Sequence, residues 1–471
     1  VDLGRMLSIG ALIALLVGFV TFYLREHQPT VHSDFRRMSL LALVVCLTVL
    51  GMKIGTTTLG IRLDSVIIGY LGLLWIPAAA MMLSVLLSAH TGGLVATLLA
   101  VGTGLSLDLE LRYVAATIAS SLVGVYVVAH IRDRNGLVRV LLTVCTCNLA
   151  LVWVLGSFAG DKLETLVLGT FWGLGCGIGA PLLLWLGVAL LERPFGITTY
   201  LGLLELSDPN RPMLRRLQME APGTYHHSMI VGALSEAAAE AIGANSLLCR
   251  VMAYYHDIGK MRRPQFFVEN QRFENLHDRL NPTLSMLIIT SHVRDGVDFA
   301  KEVKLPKPIQ DGIREHHGTG LVTYFYHQAA VTDRTTQGSV LEQHFRYEGP
   351  KPQSKESAVL MLADGCEAAS RCLSKPTPGK IEGLVRRIVQ ERLTDGQLAE
   401  SDLTFRDIER IIGAFTRTLQ GILHARIEYP KVISASEAKR ALNAAGHPAS
   451  LKVTTADHPA SEDSGDAAAA L

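Results

Sequence analysis

No surplus charge of either sign runs through this sequence: 44 Lys and Arg stand against 43 Asp and Glu, a formal net charge of +1 over 471 residues. That balance excludes the broad basic field of a duplex nucleic-acid binder, so an anionic ligand must be met by a local cluster. Cysteine is scarce and unpatterned. The seven present, Cys46, Cys145, Cys147, Cys176, Cys249, Cys366 and Cys372, form neither a zinc-type pairing nor a disulfide framework. Cys145 and Cys147 lie in an apolar run and read as small hydrophobes. Charges are sparse up to about Leu191 and long apolar runs are absent beyond it, so the 49% hydrophobic content is segregated into one half of the chain.

A membrane span needs about 20 apolar residues to cross roughly 30 Å of hydrocarbon. Seven candidates run from Met6 to Leu24, Met38 to Ile54, Val66 to Leu87, Gly93 to Leu107, Tyr113 to His130, Leu137 to Ser157 and Leu166 to Leu191. Pro77 predicts a kink in the third. Gly169, Gly173, Gly175, Gly177 and Gly179 in the last would let neighbouring helices approach closely. A soluble helical core would have to hide all of these runs within residues 1–191. Basic residues stay on the cytoplasmic side, and they concentrate in the first connection (Arg25, Arg36, Arg37) and the fifth (Arg132, Arg134, Arg139). The N-terminus is therefore expected outside the cell membrane and everything after Leu191 in the cytoplasm. The chain opens on Val1, with its first span following almost at once, so an extracytoplasmic portion is expected ahead of it.

Residues 192–221 read as a connector, with a turn at Asp208-Pro209-Asn210-Arg211-Pro212 and a short helix from Met213 to Glu220. From Pro222 to about residue 430 the pattern is helical nearly throughout. Helices are expected from Thr224 to Ile242, Leu247 to Tyr255, Pro282 to His292, Ile309 to His317 and Ser357 to Leu373, with Gly379 to Leu393 and Leu403 to Ile427 closing the domain. Residues 431–471, rich in Ala, Ser, Asp and His without periodicity, read as a disordered tail. The fold class is all-α: a polytopic seven-helix bundle followed by a helical cytoplasmic domain.

The chemistry gathers around Tyr254-Tyr255-His256-Asp257-Ile258-Gly259-Lys260. Adjacent imidazole and carboxylate can reach one metal, or the carboxylate can bridge two. Any such pair alone is usually a surface pair, and His292 or Asp364 alone reads as an ordinary polar residue. As a set, His226, His227, His256, Asp257, His292, His316, His317 and Asp364 fall on helices or helix ends that can converge.

The order of that set resembles the HD phosphohydrolase superfamily: His227, His256-Asp257, His292, His316-His317, Asp364. Further stretches narrow it: Ala221 to Ser228, Ile313 to Thr319, Phe345 to Pro350 and Met361 to Asp364 are similar to the seven-transmembrane HD family. The resemblance spans the first apolar run to about Pro430, but the family's extracytoplasmic domain is not in this sequence. It implies hydrolysis of cyclic di-AMP to linear pApA at two divalent transition metal ions, manganese or iron. His227, His256, Asp257 and Asp364 would hold one ion, and His292, His316 and His317, with Asp257 bridging, the other. His226 would support the ligands from behind.

Such a metal pair activates water and needs no protein nucleophile. Lys260 either meets a substrate phosphate as a point charge, assisting Asp257 in catalysis, or pairs with a carboxylate. Arg346 and Tyr347 either face the nucleotide or pack. Tyr324, Phe325 and Tyr326 can stack on a base or belong to a core. The partners expected are a cyclic dinucleotide and the lipid bilayer, with no duplex nucleic acid and with a homo-oligomer left open. Another cyclic dinucleotide as substrate, or a receptor that binds nucleotide without turnover, stands as the alternative.

Overall fold

A computed structural model describes residues 3–59, 69–106, 110–131, 135–271, 274–336, 342–373 and 376–423. The expected disordered tail at 431–471, the domain's last residues 424–430 and the start of the third span at 66–68 lie outside the described residues. Among the described residues there is no strand, only an isolated bridge between Leu321 and Arg346, so the all-α reading holds.

Among the described residues, seven apolar helices form the first part: α1 (Leu3–His27), α2 (Phe35–Leu59), α3 (Gly72–Leu86), α4 (Ala89–Ser106), α5 (Leu111–Ala129), α6 (Gly136–Phe158) and α7 (Leu163–Leu191). Five are long and apolar enough to cross a membrane, while α3 and α4 are shorter. Their apolar residues also face outward, as with Phe158 and Phe171, which lipid but not water would favour. Pro77 lies within α3, and the helix continues through it.

The glycines of α7 work as their spacing predicts, with one exception. A Cβ on Gly177 would come 2.9 Å from the Cys145 backbone of α6, so α7 can lie this close only where no side chain intervenes, whereas Gly175 faces open space. A buried polar link ties α5 to these two helices: Ser120 donates to Asn148 Oδ1 (2.7 Å), and Asn148 Nδ2 donates to the Gly173 carbonyl (3.2 Å).

Two short helices, α8 (Tyr200–Leu206) and α9 (Pro212–Glu220), lead to α10 (Pro222–Ile242) and α11 (Ser246–Tyr255). Gly243, at φ +71°, ends α10 where a side chain would be strained, and the Asn245 carboxamide caps α11 by accepting from Leu248 N–H (3.0 Å). The chain continues through α12 (Pro282–Glu302), α13 (Lys307–Glu315), α14 (Thr323–Thr336), α15 (Lys355–Ser370), α16 (Pro378–Thr394) and α17 (Phe405–Ile422). These helices enclose one apolar core around Val231, Met252, Ile313, Leu362 and Phe415. α12 does not stop at His292 as expected. Val297 and Ala300 extend its buried face, which leaves His292 mid-helix with its ring pinned from both sides.

Candidate metal centre

Five elements aim side chains at one point: α10 brings His227, the end of α11 His256 and Asp257, α12 His292, the end of α13 His316 and His317, and α15 Asp364. Their donor atoms fall into two groups. His227 Nε2 lies 3.6 Å and His256 Nε2 3.2 Å from Asp257 Oδ2, with His227 Nε2 also 3.0 Å from Asp364 Oδ1. On the other side, His292 Nε2 lies 3.4 Å and His316 Nε2 3.7 Å from Asp257 Oδ1. Donor atoms of His292, His316 and His317 lie within 4.8 Å of one another, as do those of His227, His256 and Asp364. Asp257 thus presents one oxygen to each group.

The tautomers follow from the far side of each ring. Nδ1 of His256, His292 and His316 donates to the carbonyls of Ala253 (2.7 Å), Ile289 (2.6 Å) and Ile313 (2.8 Å), each three residues earlier. His227 Nδ1 donates to Glu367 Oε2 at 2.6 Å. A carbonyl or carboxylate can only accept, so Nδ1 carries the proton and a bare Nε2 faces the cluster. Burial, reinforced by His256, holds the His316 imidazole down to about 3, and burial likewise keeps His292 and His317 below the ordinary value. Burial alone would protonate Asp257, yet His256 and Lys260 hold its carboxyl well below the usual range.

Nε2 of His227 and His256 and Oδ1 of Asp257 are buried with no hydrogen-bond partner. Buried lone pairs facing one another are costly unless a cation lies between them. Burial disfavours a charged His227, but the Asp364 and Glu367 carboxylates lift it to about 10, so without a metal its Nε2 would hold a second proton, whose place a bound cation would take. Imidazole and carboxylate donors without thiolate suit divalent transition metals, so the residues fit the expected pair of ions.

Lys260 is buried among acids, its Nζ 2.8 Å from Asp257 Oδ2 and 2.9 Å from Glu269 Oε1. Burial would lower this ammonium, but Asp257 and Glu269 raise it above its ordinary value. Tyr347 stacks on His317, with ring centroids 4.3 Å apart.

Two residues are not brought to the cluster. His226 is exposed, on the far face of α10 from His227, because adjacent helical residues diverge by about 100°. The support it was expected to give comes from Glu367, one turn after Asp364 on α15 and held in turn by Arg371 at 2.6 Å. Of its two readings, Arg346 takes the packing one: its guanidinium meets Asp395 at 2.9 Å and Glu342 at 2.7 Å and donates to the Thr319 carbonyl. In the aromatic trio, Phe325 is buried with Met286 and Phe345, whereas Tyr324 is exposed.

Glu367→Gln is expected to weaken metal binding about 10- to 100-fold, the usual cost of losing a carboxylate behind a ligating histidine, read by competition with a chelator. Arg346→Ala is expected to cost about 1–3 kcal/mol of stability, measured by thermal unfolding, with little change in KM.

Residues 3–199 match the family described as 7TM receptor with intracellular HD hydrolase, and residues 224–369 match the HD domain. The chain is 38% identical over 437 residues to the cyclic-di-AMP phosphodiesterase PgpH of Bacillus subtilis strain 168, covering 91% of this chain and 60% of that protein. It is 47% identical over 264 residues to the cyclic-di-AMP phosphodiesterase PgpH of Listeria monocytogenes, covering 56% of this chain and 35% of that protein. A crystal structure of the L. monocytogenes PgpH HD domain in complex with cyclic-di-AMP is 49% identical, covering 46% of this chain and 100% of that one, with a TM-score of 0.44. The chain thus spans less than two thirds of the length of the Bacillus and Listeria relatives.

Proposed function

This chain belongs to the family of 7TM receptors with an intracellular HD hydrolase, and on that premise we propose that it is a membrane-bound phosphodiesterase opening cyclic di-AMP to linear pApA. The observation that carries the reading is Asp257, whose two oxygens face two separate sets of bare imidazole nitrogens. One ion, manganese or iron, would be held by His227, His256, Asp257 and Asp364, and a second by His292, His316, His317 and Asp257. Bound there, the pair supplies Lewis acidity and an activated water for displacement at phosphorus.

The chain's own residues prepare the site. Carbonyls and Glu367 keep Nδ1 of His227, His256, His292 and His316 occupied, so these four rings cannot turn away. Lys260 steadies Asp257 in its anionic form. Asp364 and His317, at 15% and 20% side-chain exposure the least buried members, mark the side from which a phosphodiester enters. Residues 1–191 would anchor the protein with its N-terminus outside, 192–221 connect, and 222–430 carry the chemistry in the cytoplasm. The basic first and fifth connections support that orientation.

The test is turnover. The purified chain, loaded with manganese or iron, is incubated with cyclic di-AMP and separately with cyclic di-GMP, and the products are separated by chromatography. Conversion of cyclic di-AMP to pApA, stopped by a chelator, is expected. Tight binding without product would make the protein a receptor, and turnover of cyclic di-GMP alone would replace the substrate.

A further inference from the structure

We propose that the cavity beside His317 is a second-phosphate subsite, receiving the phosphodiester of a cyclic dinucleotide that is not being cut; this rests on the phosphodiesterase reading above. The cavity encloses about 340 Å³, near the lower end of the roughly 300–1,000 Å³ usual for small-molecule pockets. That is room for part of a dinucleotide. One end is shared with the candidate metal centre, since the stacked His317 and Tyr347 both line it. Arg294, Lys301 and Arg314 line it as well.

These cations differ in what already holds them. Lys301 lies 4.0 Å from Asp298 and Arg314 3.7 Å from Asp311. The exposed Arg294 guanidinium makes no ion pair or hydrogen bond among the described residues. Of the two acids on the lining, Asp298 faces Lys301 and Glu348 follows Tyr347 in the chain. Arg294 stands two residues after His292 on α12, so the helix that supplies a cluster imidazole also supplies the uncommitted cation. A guanidinium fork matches a phosphate bidentately, which an ammonium cannot. With one phosphodiester at the cluster, the ring of a cyclic dinucleotide still carries a second anion, and the open cation lies in the adjoining cavity.

The full chain loaded with manganese is assayed on cyclic di-AMP and on bis(p-nitrophenyl) phosphate, which has a single phosphate. Arg294→Ala is expected to raise KM for cyclic di-AMP about tenfold or more, the worth of one charge-assisted hydrogen bond, and to lower its kcat/KM relative to the small diester by the same factor. Arg294→Lys is expected to fall between, and adding Arg314→Ala to lose more. An unchanged ratio in Arg294→Ala overturns the subsite and leaves the phosphodiesterase reading standing. A parallel loss on both substrates also overturns it, because a guanidinium that merely supported the fold would act on both alike. Wild-type protein that cuts the small diester and leaves cyclic di-AMP intact overturns the substrate reading, and the subsite with it.

Discussion

Asp257→Ala is expected to lower turnover by on the order of 10³-fold or more, about 4 kcal/mol in barrier, and to leave less than one bound metal ion per chain. Among the described residues, this carboxylate is the group that both halves of the cluster share: Oδ2 faces His227 and His256, and Oδ1 faces His292 and His316. Without it, the cluster's five imidazoles are left with Asp364 facing them and Glu367 behind His227. Its loss also leaves the buried Lys260 ammonium with Glu269 as its nearest counter-charge, which is destabilising. Asp257→Asn separates these effects, since it keeps the volume and removes the charge. Metal content by plasma mass spectrometry and product by chromatography, with circular dichroism to check folding, read the outcome. An alanine variant that retains two ions and a tenth of the activity would sink the bridging role.

Gly259→Ala is expected to be the most damaging change that removes no functional group. Gly259 lies where the segment after the His-Asp pair crosses α12, and an added Cβ would collide with the His292 carbonyl oxygen and stand 2.5 Å from Gly296 N. Both obstacles are backbone, so no side-chain rotation relieves them, and the helix carrying His292 must shift away from Asp257. Overpacking of this kind costs about 1–3 kcal/mol in a core, and here the strain falls on the 3.4 Å spacing between His292 and Asp257. A melting temperature lower by several degrees, together with weaker binding of one of two metal ions, is the expected result. Wild-type melting and two equal metal affinities would show that the crossing has slack.

Four of the cluster residues sit at helix ends, where periodicity and capping residues are readable: His256-Asp257 follows α11 and His316-His317 follows α13, whereas His227, His292 and Asp364 lie within helices and were picked out by the resemblance to the HD series. Asp364 alone reads as an ordinary polar residue and was picked out only as the last member of the HD-like series. Glu367 was not, because a glutamate one turn later reads as solvated charge until His227 arrives from α10, 140 residues away. Glu269 escaped for a different reason. It lies in short 3₁₀ turns between Pro264 and Arg279 that have no periodicity, and only the folded chain sets it against Lys260 and Thr224. Arg346 was left between a nucleotide contact and a packing role, because its partner Asp395 lies 49 residues on, at the end of α16, where sequence separation hides a bidentate pair. The membrane helices were legible from length and apolarity alone; five of them are long enough to cross, and the described parts of α3 and α4 are shorter.

The most direct test of the account is a titration of manganese into metal-stripped protein while the loss of cyclic di-AMP is followed. Activity that rises until two ions are bound per chain, and stays absent throughout in Asp257→Ala, is the predicted result. Full activity at one ion per chain, or turnover that ignores the metal, would contradict a centre built on one carboxylate shared between two cations.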